Sequence, residues 1–297
     1  VILQEIGMNA DTPDDLVFDH YQETAYPRQA LGAPILGSAE IVGGMDRGTM
    51  QKYVARFYTP GRLVVSAAGN VDHDEFVRRV ADLFTALPPD QKGAHKEAAY
   101  KGGDRRESKE LEQSHLVMGW RGIPRQDKDI HAASALGTLL GGGMSSRLFQ
   151  EVREKRGLVY AVFAFHSAYQ DDGQFSVYAG TGPERLPELV PVICEEILKV
   201  ADTVTDEELA RAKAQMRAGI VMGRESMMGR ANQQAKVLIH TGKMPDVQER
   251  LRRIESLTCA DIARVARRIF STPLTVAGLG PLDTLESYDS MAARLRA

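Results

Sequence analysis

The chain has 297 residues, of which 43% are hydrophobic and 26% charged, as expected for a globular protein with room for two domains. Its formal net charge of −3 gives no reason to expect nucleic acid or an acidic membrane as a partner. No apolar run approaches the ~20 residues of a membrane-spanning helix, and its two cysteines, Cys194 and Cys259, cannot build a disulfide framework.

The first elements are predicted from the N-terminal third of the chain. The opening residues VILQEI carry neither an initiator methionine nor a helix cap, so we expect them to lie inside an element of a longer protein. Residues Thr49 to Gly69 read as an amphipathic helix, a Thr-Pro stop at Pro60 and a strand. Asp72 then has the position of an N-cap for a helix from His73 to Leu87.

A linker is predicted next, because Leu83 to Gly103 is rich in Pro, Gly, Lys and Ala and shows little periodicity. We place this linker at residues 91–105. It separates an N-terminal part, residues 1–90, from a second domain at residues 106–297.

The second domain mixes strands and helices without strict alternation, which favours an α+β fold with an antiparallel-rich sheet. Asp171-Asp172-Gly173 predicts a hairpin turn, and a Gly-Gly-Gly run at 141–143 predicts a helix end. The predicted strands are Gln113 to Trp120, Leu158 to Ala168 and Gln174 to Gly180. The predicted helices are Asp129 to Leu140, Ser146 to Arg156, Pro187 to Val200, Thr205 to Arg224 and Met228 to Thr241.

The helix-proline-strand pattern occurs a second time at Asp261 to Gly280, followed by Asp283 as the predicted N-cap of a helix from Thr284 to Leu295. Pro60 and Pro273 occupy equivalent positions, 213 residues apart. If the two copies are equivalent, about 110 residues precede Val1 in the parent protein. The sequence therefore predicts two homologous domains, of which the first is incomplete.

Long stretches of this chain resemble the zinc peptidases of the M16 (pitrilysin/insulinase) family. Val1 to Val42 resembles the helix that carries the third zinc ligand, followed by the Leu-Gly-x-Pro-Ile-Leu-Gly loop at Leu31 to Gly37. Leu139 to Val162 (LLGGGMSSRLFQEVREKRGLVYAV) resembles the signature of the family's C-terminal domain. The short processing-peptidase-like subgroup is the most similar, which implies two domains of the fold shared by LuxS and the mitochondrial processing peptidase.

The resemblance implies roles for three residues. Glu5 matches the glutamate that completes the zinc site, and Arg153 and Tyr160 match the residues that hold the substrate backbone. Family members take the other two zinc ligands from a His-x-x-Glu-His motif on one helix. None of the seven histidines here forms that motif, so we expect this chain to be inactive alone and the motif to lie upstream of Val1.

The sequence thus predicts a zinc-dependent endopeptidase of extended peptides as the parent protein. Two alternatives stay open: a non-catalytic partner subunit that binds peptides, and a structural protein like the respiratory-complex core proteins. The expected partners are a peptide and a second subunit in a homo- or heterodimer. The expected compartment is the bacterial cytoplasm or an organellar matrix, where thiols stay reduced.

Overall fold

A computed structural model describes residues 1–90 and 95–296 of the chain. These residues form two compact units. Of the described residues, the first unit comprises 1–37, 97–217 and 249–296, and the second comprises 38–90, 95–96 and 218–248. Residues 91–94 of the predicted linker lie outside the described residues, and the domain limits at 90 and 105 stay predictions.

The first unit is built on a sheet with the strand order β1-β5-β2-β4-β3. Only β1 and β5 run parallel, whereas the other neighbouring pairs are antiparallel. This antiparallel-rich sheet with helices confirms the predicted α+β class. The strands are β1 Gly103–Ser108, β2 Ser114–Arg121, β3 Ala161–Ala168, β4 Gly173–Thr181 and β5 Thr275–Gly280.

Twelve α-helices lie in the described part of the chain. Those of the first unit are α1 Ile2–Ala10, α2 Pro13–Ala25, α6 Ile130–Gly141, α7 Leu186–Thr203, α11 Cys259–Phe270 and α12 Tyr288–Arg294. Those of the second unit are α3 Ala39–Gly43, α4 Arg47–Phe57, α5 His73–Leu83 and α9 Met227–Thr241. Helices α8 Asp206–Met222 and α10 Val247–Glu255 have residues in both units. None of these helices is long and apolar enough to span a bilayer.

Successive side chains of a strand point to opposite faces of the sheet. Both faces are buried here, because helices cover each of them. One face packs against α6 and α11, with Trp120 edge-on to Phe270 at 5.0 Å between ring centroids, and these two helices in turn contact α7. The other face packs against α2, whose Val17 and Tyr21 contact a smaller buried cluster. Helix α2 therefore connects the N-terminal residues to the same sheet that carries β3 and β4.

The second copy of the repeated pattern is confirmed, because α11 is followed by Pro273 and the buried strand β5. The strand predicted at the end of the first copy is wrong. A strand exists only where its backbone groups pair with a neighbour, and residues 63–68 enter no ladder among the described residues. Instead, the Ser66 hydroxyl donates to the carbonyl of Ala231 at 2.9 Å.

The two predicted N-caps had different outcomes. Asp72 is confirmed, since its carboxylate accepts the backbone N–H of Glu75 at 2.8 Å. Asp283 is wrong, because the last helix begins at Tyr288 with Ser287 as its N-cap. Leu282 and Leu285 are buried in the core. Because this packing fixes the residues before Ser287, they do not form the first turn of the helix.

Gly141 ends α6 as predicted, but it is also required for close packing of that helix on the sheet. A Cβ atom at this position would lie 2.1 Å from the backbone nitrogen of Ala164 in β3. At Gly143, the nearest atom to an added Cβ is the flexible amide of Gln215 at 3.5 Å.

We therefore expect Gly141→Ala to lower the free energy of unfolding by about 1–3 kcal/mol, the usual cost of overpacking a core. Gly143→Ala, as the matched control, should change it by less than about 0.5 kcal/mol. Urea unfolding measures both. Equal stabilities for the two variants would contradict the role of close helix-sheet packing.

Candidate functional site

Within the segment that resembles the family signature, residues Phe149–Glu154 form a π-helix, inside the range predicted to be a short helix. Helices of this type are rare and are frequent at functional sites. Buried Leu148 and Val152 attach it to the core, and it contacts α7 and β3. Gly157 then adopts a φ of 62°, which allows the chain to leave the helix and turn towards β3.

Arg153 projects from this π-helix into solvent. Its guanidinium lies over the ring of Phe149, 5.1 Å from the centroid, which is a cation-π contact. The neighbouring basic groups are engaged elsewhere, because Lys155 and Arg156 both donate to the carboxylate of Glu151. These hydrogen bonds hold the pKa of Glu151 below its ordinary value. Arg153 is therefore supported by its own helix yet accessible to a ligand.

Tyr160 stands one residue before β3, with 63% of its surface exposed. Its backbone N–H donates to the carbonyl of Gly180 at 2.9 Å, so the main chain is already joined to β4. Leu158 and Val159 just before it are buried in the core. The phenol is thus presented to solvent from a fixed backbone, next to the π-helix that carries Arg153.

Glu5 lies in α1, a helix without a buried residue, and its side chain is exposed. Helix α1 contacts α2, whereas Arg153 and Tyr160 belong to the π-helix and the start of β3. All three residues lie in the first compact unit. The structure thus brings the elements of Arg153 and Tyr160 together, and Glu5 stands on a separate element.

No group of three or more His, Cys, Asp or Glu side chains that could hold a metal occurs within residues 1–90 and 95–296. Several histidines instead serve the fold. His166 accepts the backbone N–H of Ile123 at 2.9 Å, and burial lowers its pKa to about 4. His115 shares a hydrogen bond of 2.9 Å with the hydroxyl of Tyr178. The described residues therefore do not fit a complete zinc site.

A group of aromatic side chains beside β3 was not predicted. We call Phe18, Phe163, Phe165 and Tyr178 the aromatic cluster. Phe163 stacks on Tyr178 with 4.8 Å between centroids, and Phe18 of α2 lies 6.0 Å from Phe165. The alternation of Phe163 and Phe165 is visible in the sequence, but the contribution of Phe18 depends on where α2 packs.

Comparison with known proteins gives consistent results. A family profile described as "Peptidase M16 inactive domain" matches residues 44–216. A protein of Rickettsia felis called an uncharacterized zinc protease is 37% identical over 284 residues, which cover 95% of this chain and 69% of that protein. A Bacillus subtilis protein with the same description, YmxG, is 32% identical over 289 residues, or 97% and 70% of the two chains.

Among solved structures, a chain of Complex III2 from Candida albicans with bound Inz-5 is similar to this protein. The TM-score is 0.91, and the match covers 98% of this chain and 72% of that chain. Because only 18% of the aligned residues are identical, this likeness defines the fold alone.

Proposed function

The chain belongs to the peptidase M16 family, and from this membership we propose that it is part of a zinc-dependent endopeptidase that cleaves extended peptides. The observation that carries the proposal is the pair Arg153 and Tyr160. Both are exposed polar side chains on adjoining, well-anchored elements. Both also lie in the stretch that resembles the family signature.

In this proposal, Arg153 and Tyr160 bind the backbone of the substrate. A guanidinium offers several N–H donors in a planar fork, and a phenol offers one O–H donor, so both can bind peptide carbonyl oxygens. Donors placed where negative charge develops on such an oxygen also stabilise the transition state. The contact with Phe149 limits the conformations of Arg153 and so reduces the entropy lost on binding.

The zinc ion is proposed for the whole enzyme and not for this chain alone. A catalytic zinc needs three protein ligands and an open position, and the described residues contain no such group. We propose Glu5 as one ligand because its carboxylate is exposed and its helix resembles the ligand-bearing helix. The remaining ligands would come from polypeptide outside the described residues, within the same subunit or from a homo- or heterodimer partner.

Because only one of the proposed zinc ligands lies among the described residues, the behaviour of the isolated chain can be predicted. We expect the purified 297-residue protein to hold much less than one equivalent of zinc after dialysis and to cleave no peptide. Metal analysis by mass spectrometry and a fluorogenic peptide assay measure both quantities. One tightly bound zinc per chain would show that the ligands are present here and would overturn the proposed division.

A non-catalytic partner subunit that binds peptides is the second candidate. It is favoured by the description of the matching family domain as inactive and by the lack of a metal group among the described residues. The two candidates differ in one assay. Addition of this chain to a catalytically active homologue should raise the rate of peptide cleavage if it is a partner subunit, and should not if it is part of an independent enzyme.

A further inference from the structure

Arg147 lies two residues before the π-helix and is largely buried, although its side chain is charged. Only 11% of its side-chain surface is exposed, and 18% of that of its partner Glu208. Two hydrogen bonds join them, from Nε to one carboxylate oxygen at 2.7 Å and from Nη2 to the other at 2.8 Å. Such bidentate, charge-assisted bonds are among the strong hydrogen bonds of proteins. The guanidinium of Arg147 is therefore held in one orientation.

The same guanidinium also caps the end of a neighbouring helix. Helix α7 ends at Thr203, and the last carbonyl groups of a helix have no partner within it. Arg147 donates to the carbonyl of Thr203 at 2.8 Å and to its hydroxyl at 2.8 Å. A cation at this end of a helix is also favoured by the helix dipole. Arg147 thus joins the residues before the π-helix to α7, a helix that the π-helix contacts.

Glu208, the partner of Arg147, is itself fixed at the start of α8. Its carboxylate accepts the backbone N–H of Thr205 at 2.9 Å, and the Thr205 hydroxyl accepts the backbone N–H of Glu208 at 3.3 Å. These reciprocal bonds form a capping box. Burial works to raise the pKa of Glu208, but the hydrogen bonds from Arg147 and Thr205 hold it below its ordinary value. Arg147 is therefore bound to an ionised partner with little freedom to move.

The loop between α6 and the π-helix has a second attachment to α8. The side-chain amide of Gln215 donates to the carbonyl of Gly142 at 2.6 Å. Glu208 and Gln215 are seven residues apart, or about two helical turns, so they lie on one face of α8. Between the two attachments, Met144 is 75% exposed. The chain therefore enters the π-helix from a loop that is fixed at both ends.

We infer that Arg147 is a positioning residue, which holds the π-helix so that Arg153 stays where it can bind the substrate backbone. This inference rests on the proposed function of Arg153. A π-helix has i→i+5 hydrogen bonds and is rare, so the ordinary α-helix is a competing conformation for this segment. A shift of one residue in helical register turns a side chain by about 100° around the axis. Attachment of the chain just before the π-helix opposes such a shift.

The first test measures amide hydrogen exchange in the full 297-residue chain. Arg147→Lys keeps the positive charge but loses the planar fork that binds two partners at once. Exchange at residues 149–154 should become about tenfold faster or more, because a segment that opens locally exchanges faster than the rest of the fold. Exchange in the central strand β4 should stay unchanged. Arg294→Lys is the matched control, since Arg294 also pairs with a glutamate, Glu286, and it should leave residues 149–154 unaffected.

The second test is a double-mutant cycle in the proposed zinc peptidase. Arg147→Lys should lower kcat/KM by about 10–10²-fold, the scale of loss when an interacting group is misplaced by about 1 Å. In the Arg153→Ala background, the same substitution should have almost no further effect, because Arg147 acts through Arg153. A role in stability alone would lower the activity by the same factor in both backgrounds.

The outcomes separate this inference from the proposed function. If Arg153→Ala lowers the activity but Arg147→Lys acts equally in both backgrounds, or speeds exchange equally in β4 and at residues 149–154, the positioning role is wrong and the proposed function stands. If Arg153→Ala leaves kcat/KM unchanged, both fail. If thermal unfolding shows that Arg147→Lys disrupts the fold, Thr203→Val replaces it. This change at an exposed residue removes one acceptor of the guanidinium, keeps the ion pair and should speed exchange in the same segment.

Discussion

Arg153→Ala should lower kcat/KM of the proposed zinc peptidase by about 10²–10³-fold, the usual cost of losing one transition-state hydrogen-bond donor. Its zinc content should stay unchanged, because the guanidinium is not a metal ligand. The side chain is exposed and rests on Phe149, so its removal leaves no buried group without a partner. The loss should therefore appear in activity and not in thermal stability.

The matched control for this variant is Lys155→Ala. Lys155 lies just after the same π-helix and is exposed, so the substitution removes one positive charge from the same surface. It pairs with Glu151 and not with a substrate group in our proposal. If both variants lose activity equally, a general electrostatic effect of this surface is responsible and the specific role of Arg153 is wrong.

Glu5→Gln should abolish both zinc binding and activity in the same enzyme. A glutamine keeps the size and exposure of the side chain but loses the charge that a zinc ligand supplies. Changes in groups that only support a ligand already reduce metal affinity by about 10–100-fold, so loss of a ligand should exceed that range. Metal analysis and rate measurements on the same sample test the two effects together.

Asp11→Asn provides the control for Glu5→Gln. Asp11 is exposed at the C-terminal end of α1, so this substitution removes one carboxylate charge from the same helix region. It should leave zinc content and rate unchanged. Full zinc occupancy and a full rate in Glu5→Gln would instead show that the assignment of Glu5 as a ligand is wrong.

The sequence predicts turns and helices well where their pattern involves residues that are close together in the chain. The Asp171-Asp172-Gly173 turn joins β3 and β4 as a hairpin, with Ala168 opposite Gly173. The carboxylate of Asp172 accepts the N–H of Gly173 at 2.8 Å, a bond between adjacent residues. Such features need no information from distant parts of the chain.

Predictions were less accurate where a distant partner decides the outcome. The segment at residues 63–68 has the composition of a strand, as β5 has, but only β5 has neighbours among the described residues that complete a ladder. The helix predicted after Asp283 begins later, because Leu282 and Leu285 pack into the core. Both differences arise from tertiary contacts that override a correct local pattern.

For the candidate site as well, the sequence identified individual residues, and only the structure shows which elements carry them. The residues Glu5, Arg153 and Tyr160 were selected from sequence resemblance, and their roles stay proposals for the experiments above. The structure adds the π-helical support of Arg153, and an aromatic cluster with Phe18 of α2 on β3, the strand that Tyr160 precedes. No spacing in the sequence places Phe18 beside Phe163, since 145 residues separate them.

The sequence by itself determined the family, the α+β class and the order of most helices and strands, because these follow from motifs and short-range periodicity. Only the tertiary structure decided the strand order, and with it the charged edge at β1 and the uncharged edge at β3. It also decided that Gly141 must lack a side chain where α6 meets Ala164. The physical reason is that strand pairing and close packing are set by contacts between residues far apart in the chain, which no local pattern encodes.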